Sequence, residues 1–408
     1  MTIYLLGALF VLWPLVSLAG GLAFSTLTGL AALLLLPSIA RSLRPRLYFF
    51  ALLAFFVFVG VSTLWSPREQ VLISIDFNKM QFAVRSEMLR VGLQILALGG
   101  LIAAAMRMSD RDKARLQAIA HVALLVQLAM LVVLSVFELQ ILDMLRPIVP
   151  DTGEGVQNIS RNCLIMAVAA PVLAIGLARG KPPAIAWALA AGVIGTIAVI
   201  LVVRGVHAGL LALLTAGVCL ALVHFVPRHG FKILGGLIAL MVLTAPLIFG
   251  VISQGADFAT ADDSSSYRAA IWQRVIELIN QHPILGNGLG ALRTVREPIE
   301  TGVFAGQFTV PNHAHNMTLQ LWAEVGAVGA GLMALALVLA GWRLGDARRL
   351  GAGGLRGAAI AGAMTAVAGV SFDLWNDWWW AVAGLLAVLA VATPGRNQPQ
   401  AGDPNVAS

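Results

Sequence analysis

Apolar residues fall along this chain in long runs, at about 3–19, 21–40, 47–64, 88–106, 116–137, 159–178, 183–203, 205–226, 231–252, 315–342, 354–372 and 377–394. Most approach the roughly 20 residues that a helix needs to cross a hydrocarbon core. Charged residues gather in the short breaks between them. The pattern predicts an all-α integral membrane protein with about twelve transmembrane helices. Three connections are long: 65–87, 138–158 and 253–314. The last has about sixty residues, a length usually reserved for function or disorder. Disorder is disfavoured, because Tyr267 to His282 reads at helical period. Ile271, Trp272, Val275, Ile276 and Ile279 form one stripe, and Gln273, Arg274, Glu277, Asn280 and Gln281 form the opposite face. The expected organisation is therefore nine helices over 1–252, a large loop with an amphipathic helix over 253–314, three helices over 315–394, and a flexible tail over 395–408.

Composition narrows the class. The 408 residues are 59% hydrophobic and only 12% charged, with a mean hydropathy of +0.86. A soluble chain carries about twice that charge density, so a soluble enzyme, a disordered protein and a secreted disulfide scaffold are excluded. The net charge of +7 does not point to nucleic acid, because the basic residues are scattered among short loops. Placing 41–46 in the cytoplasm puts about sixteen of the 27 basic residues, and about four acids, on that side. Both termini are then cytoplasmic, and the three long connections face the outer side of the membrane. The first apolar run has no basic stretch before it, so it reads as a retained helix rather than a cleaved signal. Cys163 and Cys219 both lie in apolar runs. They read as small core residues, with a bridge between them left open.

Candidate chemistry collects on the long-loop side. Arg268 sits within the apolar stripe of the amphipathic helix, one turn before Trp272. It either snorkels to water or meets an anion, for which its planar fork is suited. Ser264, Ser265 and Ser266 are candidates to cap that helix. Arg161 and Arg204 lie at the same end of two apolar runs, either anchoring helix ends or joining Arg268 in a cationic cluster. Gly286, Gly288 and Gly290 read as a tight turn with positive φ, since no strand precedes them as a nucleotide-binding loop would need. His313 and His315 stand at the mouth of the tenth apolar run, where Asn312 or Asn316 is placed to cap a helix. A helix N-terminus keeps a histidine neutral, and a neutral imidazole can accept a hydroxyl proton. An ordinary interfacial histidine fits the spacing as well. A metal pair lacks a third ligand, so no metal or other cofactor is expected. Glu324 lies too far along the helix to orient His315 and reads as a structural partner of another polar group. Asp373 and Asp377, among Trp375, Trp378, Trp379 and Trp380, read as facing outward in an aromatic belt or as a sugar-contacting surface.

One stretch resembles a known family. His315 and Asn316, then nine residues, Gly326, two residues and Gly329 match the signature of the O-antigen ligases. Arg268…Trp272…His282-Pro283-Ile284-Leu285-Gly286-Asn287-Gly288 is similar to the block that precedes it in the same superfamily, which also holds O-antigen polymerases. The chain departs from it at Val203-Arg204, where Ser-Arg is usual. The resemblance implies a GT-C-like membrane glycosyltransferase. Such an enzyme moves a glycan from undecaprenyl diphosphate to a sugar hydroxyl of lipid A–core, among membrane lipids and without nucleic acid. It implies His315 as the catalytic group, with inversion at the anomeric carbon and no metal. It implies Arg161, Arg204 and Arg268 on the diphosphate, with His313, Asn316 and Asp373 as further substrate contacts. A polymerase, and a lipid-linked glycan transporter without transfer chemistry, are the alternatives. The transporter is disfavoured because no internal repeat is evident.

Overall fold

The computed structural model describes residues 1–37, 47–71, 73–76, 81–145, 152–260 and 264–394. The 41–46 loop and the 395–408 tail lie outside the described residues. In chain order the helices are α1 (Thr2–Leu18), α2 (Ala23–Leu34), α3 (Leu47–Val61), α4 (Glu87–Met106), α5 (Asp110–Leu145), α6 (Thr152–Ala178), α7 (Pro183–Val203), α8 (His207–Phe225), α9 (Gly230–Ile252), α10 (Ser264–Gln281), α11 (Met317–Leu344), α12 (Ala352–Val370) and α13 (Asp377–Val391). Nine of the described helices are long and apolar enough to cross a membrane, while α1, α2 and α13 are apolar but shorter. The chain is a multi-pass membrane protein. Two readings are corrected. The fold is not purely helical, since Ile73–Asp76 (β1) and Gln81–Val84 (β2) form a small antiparallel hairpin. The 138–158 connection is largely helix, because α5 runs on past a non-helical Phe137 to Leu145 and α6 already starts at Thr152.

α6 is the central helix, buried on all sides from Asn162 to Ala174. Small residues let other helices close on one another, as lipid-embedded packing favours. A Cβ on Gly235 of α9 would lie 2.8 Å from Leu337 O of α11, and one on Gly362 of α12 would lie 2.6 Å from Thr215 O of α8. Buried polar side chains pair across helices. Trp13 Nε1 donates to Gln127 Oε1 (2.7 Å), whose Nε2 donates to Asn162 Oδ1 (2.6 Å). Arg356 is 2% exposed inside α12. It donates to Gln117 Oε1 (2.7 Å), Leu389 O (3.2 Å) and Thr393 Oγ1 (3.2 Å), tying α5, α12 and α13 together. Cys163 and Cys219 are both buried and are not joined by a disulfide.

α11 is broken. Gly326 has φ 57 and ψ −161, a conformation that only glycine adopts without strain. A break in an apolar helix frees backbone groups that lipid cannot satisfy. Here the 283–288 loop after α10 satisfies them. Asn287 N donates to Ala323 O (2.8 Å) and Gly288 N to Glu324 O (2.8 Å), while Ala327 N donates to Pro283 O (2.9 Å) and Val328 N to Ile284 O (3.2 Å). The Asn287 amide adds bonds to Ala323 O (2.9 Å) and Leu278 O (3.2 Å). The turn glycines 286, 288 and 290 have φ of 72, 91 and 73, as read from the sequence.

The contact is too close for a side chain. A Cβ on Gly326 would sit 2.4 Å from Ile284 O, whereas one on Gly331 of the same helix would meet nothing within 4 Å. Gly326→Ala is expected to lower the apparent Tm in detergent by roughly 4 °C or more. Gly331→Ala is expected to leave it unchanged or raised. Equal effects from the two would dismiss the close approach as the reason for the glycine.

Candidate functional site

α10 carries the apolar stripe read from its sequence. Ile271, Trp272, Val275 and Ile279 are buried against α9, α11 and the segment before α11. Its first turn holds Ser264, Ser265 and Ser266, so its capping position lies outside the described residues. Trp272 Nε1 donates to Ala314 O (3.1 Å), which fixes α10 against the residues leading into α11. That bond sets Arg268, one turn earlier, beside the histidines. Arg268 Nη1 donates to Val370 O at the end of α12 (3.1 Å).

α11 starts at Asn316, whose Oδ1 accepts from Thr318 N (3.0 Å), Leu319 N (3.0 Å) and Thr318 Oγ1 (2.7 Å). Asn316 is fully buried, so its work is capping rather than substrate contact. The residue before the cap, His315, has φ 49 and is the only non-glycine at positive φ among the described residues. Such a conformation costs about 1–3 kcal/mol and gathers at functional sites. His315 N donates to His313 Nδ1 (3.0 Å), with the rings 4.2 Å apart. That bond leaves Nε2 to carry the proton of a neutral His313.

Both histidines and Arg268 line one cavity of about 690 Å³, with Arg161 of α6 and Arg90 of α4 on its wall. Asn312, Asn376, Phe372 and Trp378 complete much of the rest, and Asp377 is the one lining carboxylate among the described residues. Among these residues the wall carries three guanidiniums against one carboxylate. No ion pair to a carboxylate occurs for Arg90, Arg161 or Arg268 among the described residues. Arg161 Nη1 donates to Asn158 Oδ1 (3.1 Å), and Arg90 Nε is buried without a hydrogen bond. Burial pulls the Arg268 guanidinium below its usual range, yet it stays charged. Partly buried cations with no carboxylate partner among the described residues attract an anionic ligand. Burial, with His313 and Arg268 adding to it, lowers the His315 pKa to about 3. Burial lowers that of His313 as well, with Arg293 and Arg268 reinforcing and Asp373 opposing. Both imidazoles are neutral at pH 7.

The structure does not gather every expected residue. Arg204 ends α7, its N bonded to Ile200 O (2.9 Å), and is not among the residues lining the cavity. A cation suits that helix end. Asp373 was read as facing outward, but it is 2% exposed. Its Oδ2 accepts from Arg293 Nη2 (2.6 Å) and its Oδ1 from Gln320 Nε2 (2.9 Å) and Trp375 N (2.9 Å). A buried carboxylate must be paired, and that requirement turned it inward. Asp377 takes the lining position instead. Glu324 is a structural partner, accepting from Gln320 Nε2 (3.1 Å) and Trp375 Nε1 (2.7 Å). Arg90 was missed, although it sits at the long-loop end of an apolar run as Arg161 does. Glu87 and Arg293 were missed because each is defined by its distant partner. Glu87 Oε1 accepts from Arg293 Nη2 (2.9 Å) and Arg68 Nη1 (3.0 Å).

Arg293 bridges two buried acids beside the site. Arg293→Ala is expected to destabilise the fold by about 2–3 kcal/mol, since it strips a partner from both carboxylates. Adding Asp373→Asn should recover part of that loss in a thermal-unfolding measurement. No loss in the single variant would show that the bridge carries no stability.

Comparison with known proteins covers part of this site. Residues 190–334 match the family model described as O-antigen ligase. Among curated proteins, three from Rickettsia provisionally named polysaccharide ligases are similar. The one from Rickettsia typhi is 25% identical over 175 residues, covering 40% of this chain and 42% of its own length. That of Rickettsia prowazekii is 27% identical over 179 residues, with 40% and 42% covered. That of Rickettsia conorii is 29% identical over 123 residues, with 28% and 29% covered. The chain thus matches less than half the length of these relatives. The matched segment holds Arg204, Arg268, His313, His315 and the Gly326 break, while Arg90, Arg161 and Asp377 fall outside it. Residues 190–334, which bring the histidines and the broken helix to the cavity, are thus the part of the chain that is similar to the O-antigen ligase family.

Proposed function

We propose that this protein is a glycosyltransferase of the GT-C-like kind that moves a glycan from undecaprenyl diphosphate to a sugar hydroxyl of lipid A–core. The observation that carries the reading is the cavity wall of Arg90, Arg161 and Arg268, without carboxylate partners among the described residues and facing His315. An anion at that wall gains charge-assisted hydrogen bonds. Its height fits a lipid diphosphate. Trp342 beside Lys232, with the ring centroid 5.1 Å from Nζ, is an interfacial pair. Gly326 lies about 24 Å above it at helical rise, about 6 Å short of the far boundary of a hydrocarbon core of about 30 Å, and the residues of α11 above the break lead from there to Asn316. They rise towards headgroup depth. In this reading all twelve apolar helices cross the inner membrane, both termini are cytoplasmic, and the cavity opens to the periplasm.

The acceptor hydroxyl oxygen attacks the anomeric carbon as the bond from that carbon to the diphosphate oxygen breaks, with inversion. The electron pair leaves with the diphosphate, where the arginines stabilise the growing charge. Neutral His315 accepts the hydroxyl hydrogen bond and aligns it. The bound dianion raises the basicity of the imidazole, so the proton can pass to it during transfer. His313 holds His315 in its left-handed conformation through the bond to its backbone N. The chemistry is expected to need no metal.

Purified protein, undecaprenyl-diphosphate glycan and lipid A–core, with chelator present, should yield glycan-capped core. His315→Ala should lower kcat by about 100-fold or more, and Arg268→Ala by a comparable factor. Longer lipid-linked glycan without capped core would replace the ligase with a polymerase. No transfer from a validated donor would sink the enzymatic reading. The pH profile is a separate check. Because His315 must be neutral and its free-protein pKa is about 3, kcat/KM should stay flat from about pH 8 to about pH 5. The acid limb of kcat should sit higher than that of kcat/KM, since bound diphosphate favours the imidazolium. An acid limb in kcat/KM near pH 6.5 would contradict the burial of His315.

A further inference from the structure

The 283–285 loop has an unusual place. It follows α10, outside the apolar runs, yet it is bonded to the middle of α11. Ala327 N and Val328 N of that helix donate to Pro283 O and Ile284 O. Gly326 lies about 24 Å above the Lys232–Trp342 interfacial pair at helical rise. A hydrocarbon core is about 30 Å thick. The loop therefore stands about 6 Å inside the boundary of the leaflet that carries the cavity.

Neighbouring helices give the same level. Ile276 of α10 packs beside Gly250 of α9, about 28 Å above Phe231 at the base of that helix. Phe231 O lies against Gly341 of α11, so the two helices share a base. α10 therefore descends from the cavity rim towards the loop. At the end of α3, Trp65 Nε1 donates to Gly286 O (3.2 Å).

At this depth the loop presents apolar side chains outward. Ile284 is 65% exposed and Leu285 49%, next to a partly exposed Val328, while Gly286 and Gly288 to Gly290 are buried. Water would leave both side chains solvated at a cost. Hydrocarbon would not, and Pro283 O and Ile284 O are already bonded to α11 and Gly286 N to His282 O (3.0 Å), three of the bonds that membrane depth demands.

We propose that residues 283–285 form a re-entrant wedge, with Ile284 and Leu285 embedded in acyl chains of the leaflet bearing the cavity. The wedge is bonded to the same helix that carries His315 at its mouth. It thereby ties the height of the cavity to the headgroup plane. The proposal rests on the multi-pass fold alone and does not depend on glycan transfer.

Nitroxide labels at Ile284→Cys, Leu285→Cys, Leu247→Cys and Glu300→Cys test it. Cys163 and Cys219 are replaced by alanine, and each variant is checked for the unchanged Tm of the parent in liposomes. Leu247 is 73% exposed on α9 and lies at the same computed depth of about 24 Å, so it is the lipid reference. Glu300, exposed in the outer part of the loop, is the water reference. The ratio of oxygen to nickel-chelate collision rates should be several-fold higher at 284 and 285 than at 300, and should match 247. Ratios at 284 and 285 equal to that at 300 would overturn the wedge. A water-like ratio at 247 would overturn the depth assignment on which it stands.

Discussion

A polypeptide in hydrocarbon cannot leave backbone groups unbonded, and the break in α11 at Gly326 meets that constraint with a borrowed loop. Two carbonyls above the break accept from Asn287 and Gly288, and two amides below it donate to Pro283 and Ile284. The consequences extend in both directions. Below the break, α11 closes on α9 through Gly235 and Gly341. Above it, the first turns of α11 rise towards headgroup depth and carry His315 at their mouth. The loop returns through α10, whose Trp272 bonds to Ala314 O and whose Arg268 reaches the same cavity. The histidine motif and the arginine block are two halves of one device, joined where glycines let backbone meet backbone.

A second constraint sorts the charges. Arg68 and Arg293 face Glu87 and Asp373 and are neutralised within the fold. Arg90, Arg161 and Arg268 line the cavity without such partners among the described residues. Burial costs a charge its hydration unless an opposite charge compensates. The first group obtains compensation from the chain itself. The second keeps that demand open for a ligand. The same desolvation holds both histidines neutral, which leaves His315 free to accept a hydrogen bond.

Much of the fold was legible because hydrophobic periodicity is local. The apolar runs locate twelve helices to within a few residues at most ends. The stripe of α10 from Ile271 to Ile279 and the positive φ of the turn glycines follow from residue type and spacing, as does a capping asparagine at 312 or 316, between which the structure chose Asn316. The errors have physical reasons. The 138–158 segment lacks a long apolar run, yet helix continues into it past Phe137. The strands Ile73–Asp76 and Gln81–Val84 have four residues each, too few to stand out against the helical runs.

By itself the sequence determined that this is a multi-helix membrane protein, that a long connection carries an amphipathic helix, and that arginines and a histidine pair gather on one side. Those properties depend on neighbours a few residues apart, where transfer energies and helical period act. Only the tertiary structure decided which charges meet. It turned Asp373 inward to Arg293, left Arg204 off the cavity wall and brought Arg90 onto it. Pairing of buried charge is settled by contacts between residues far apart in the chain, such as Glu87 with Arg293, and no local pattern encodes such a contact. The height of the 283–285 loop was decided in the same way, by hydrogen bonds to a helix that begins about thirty residues later.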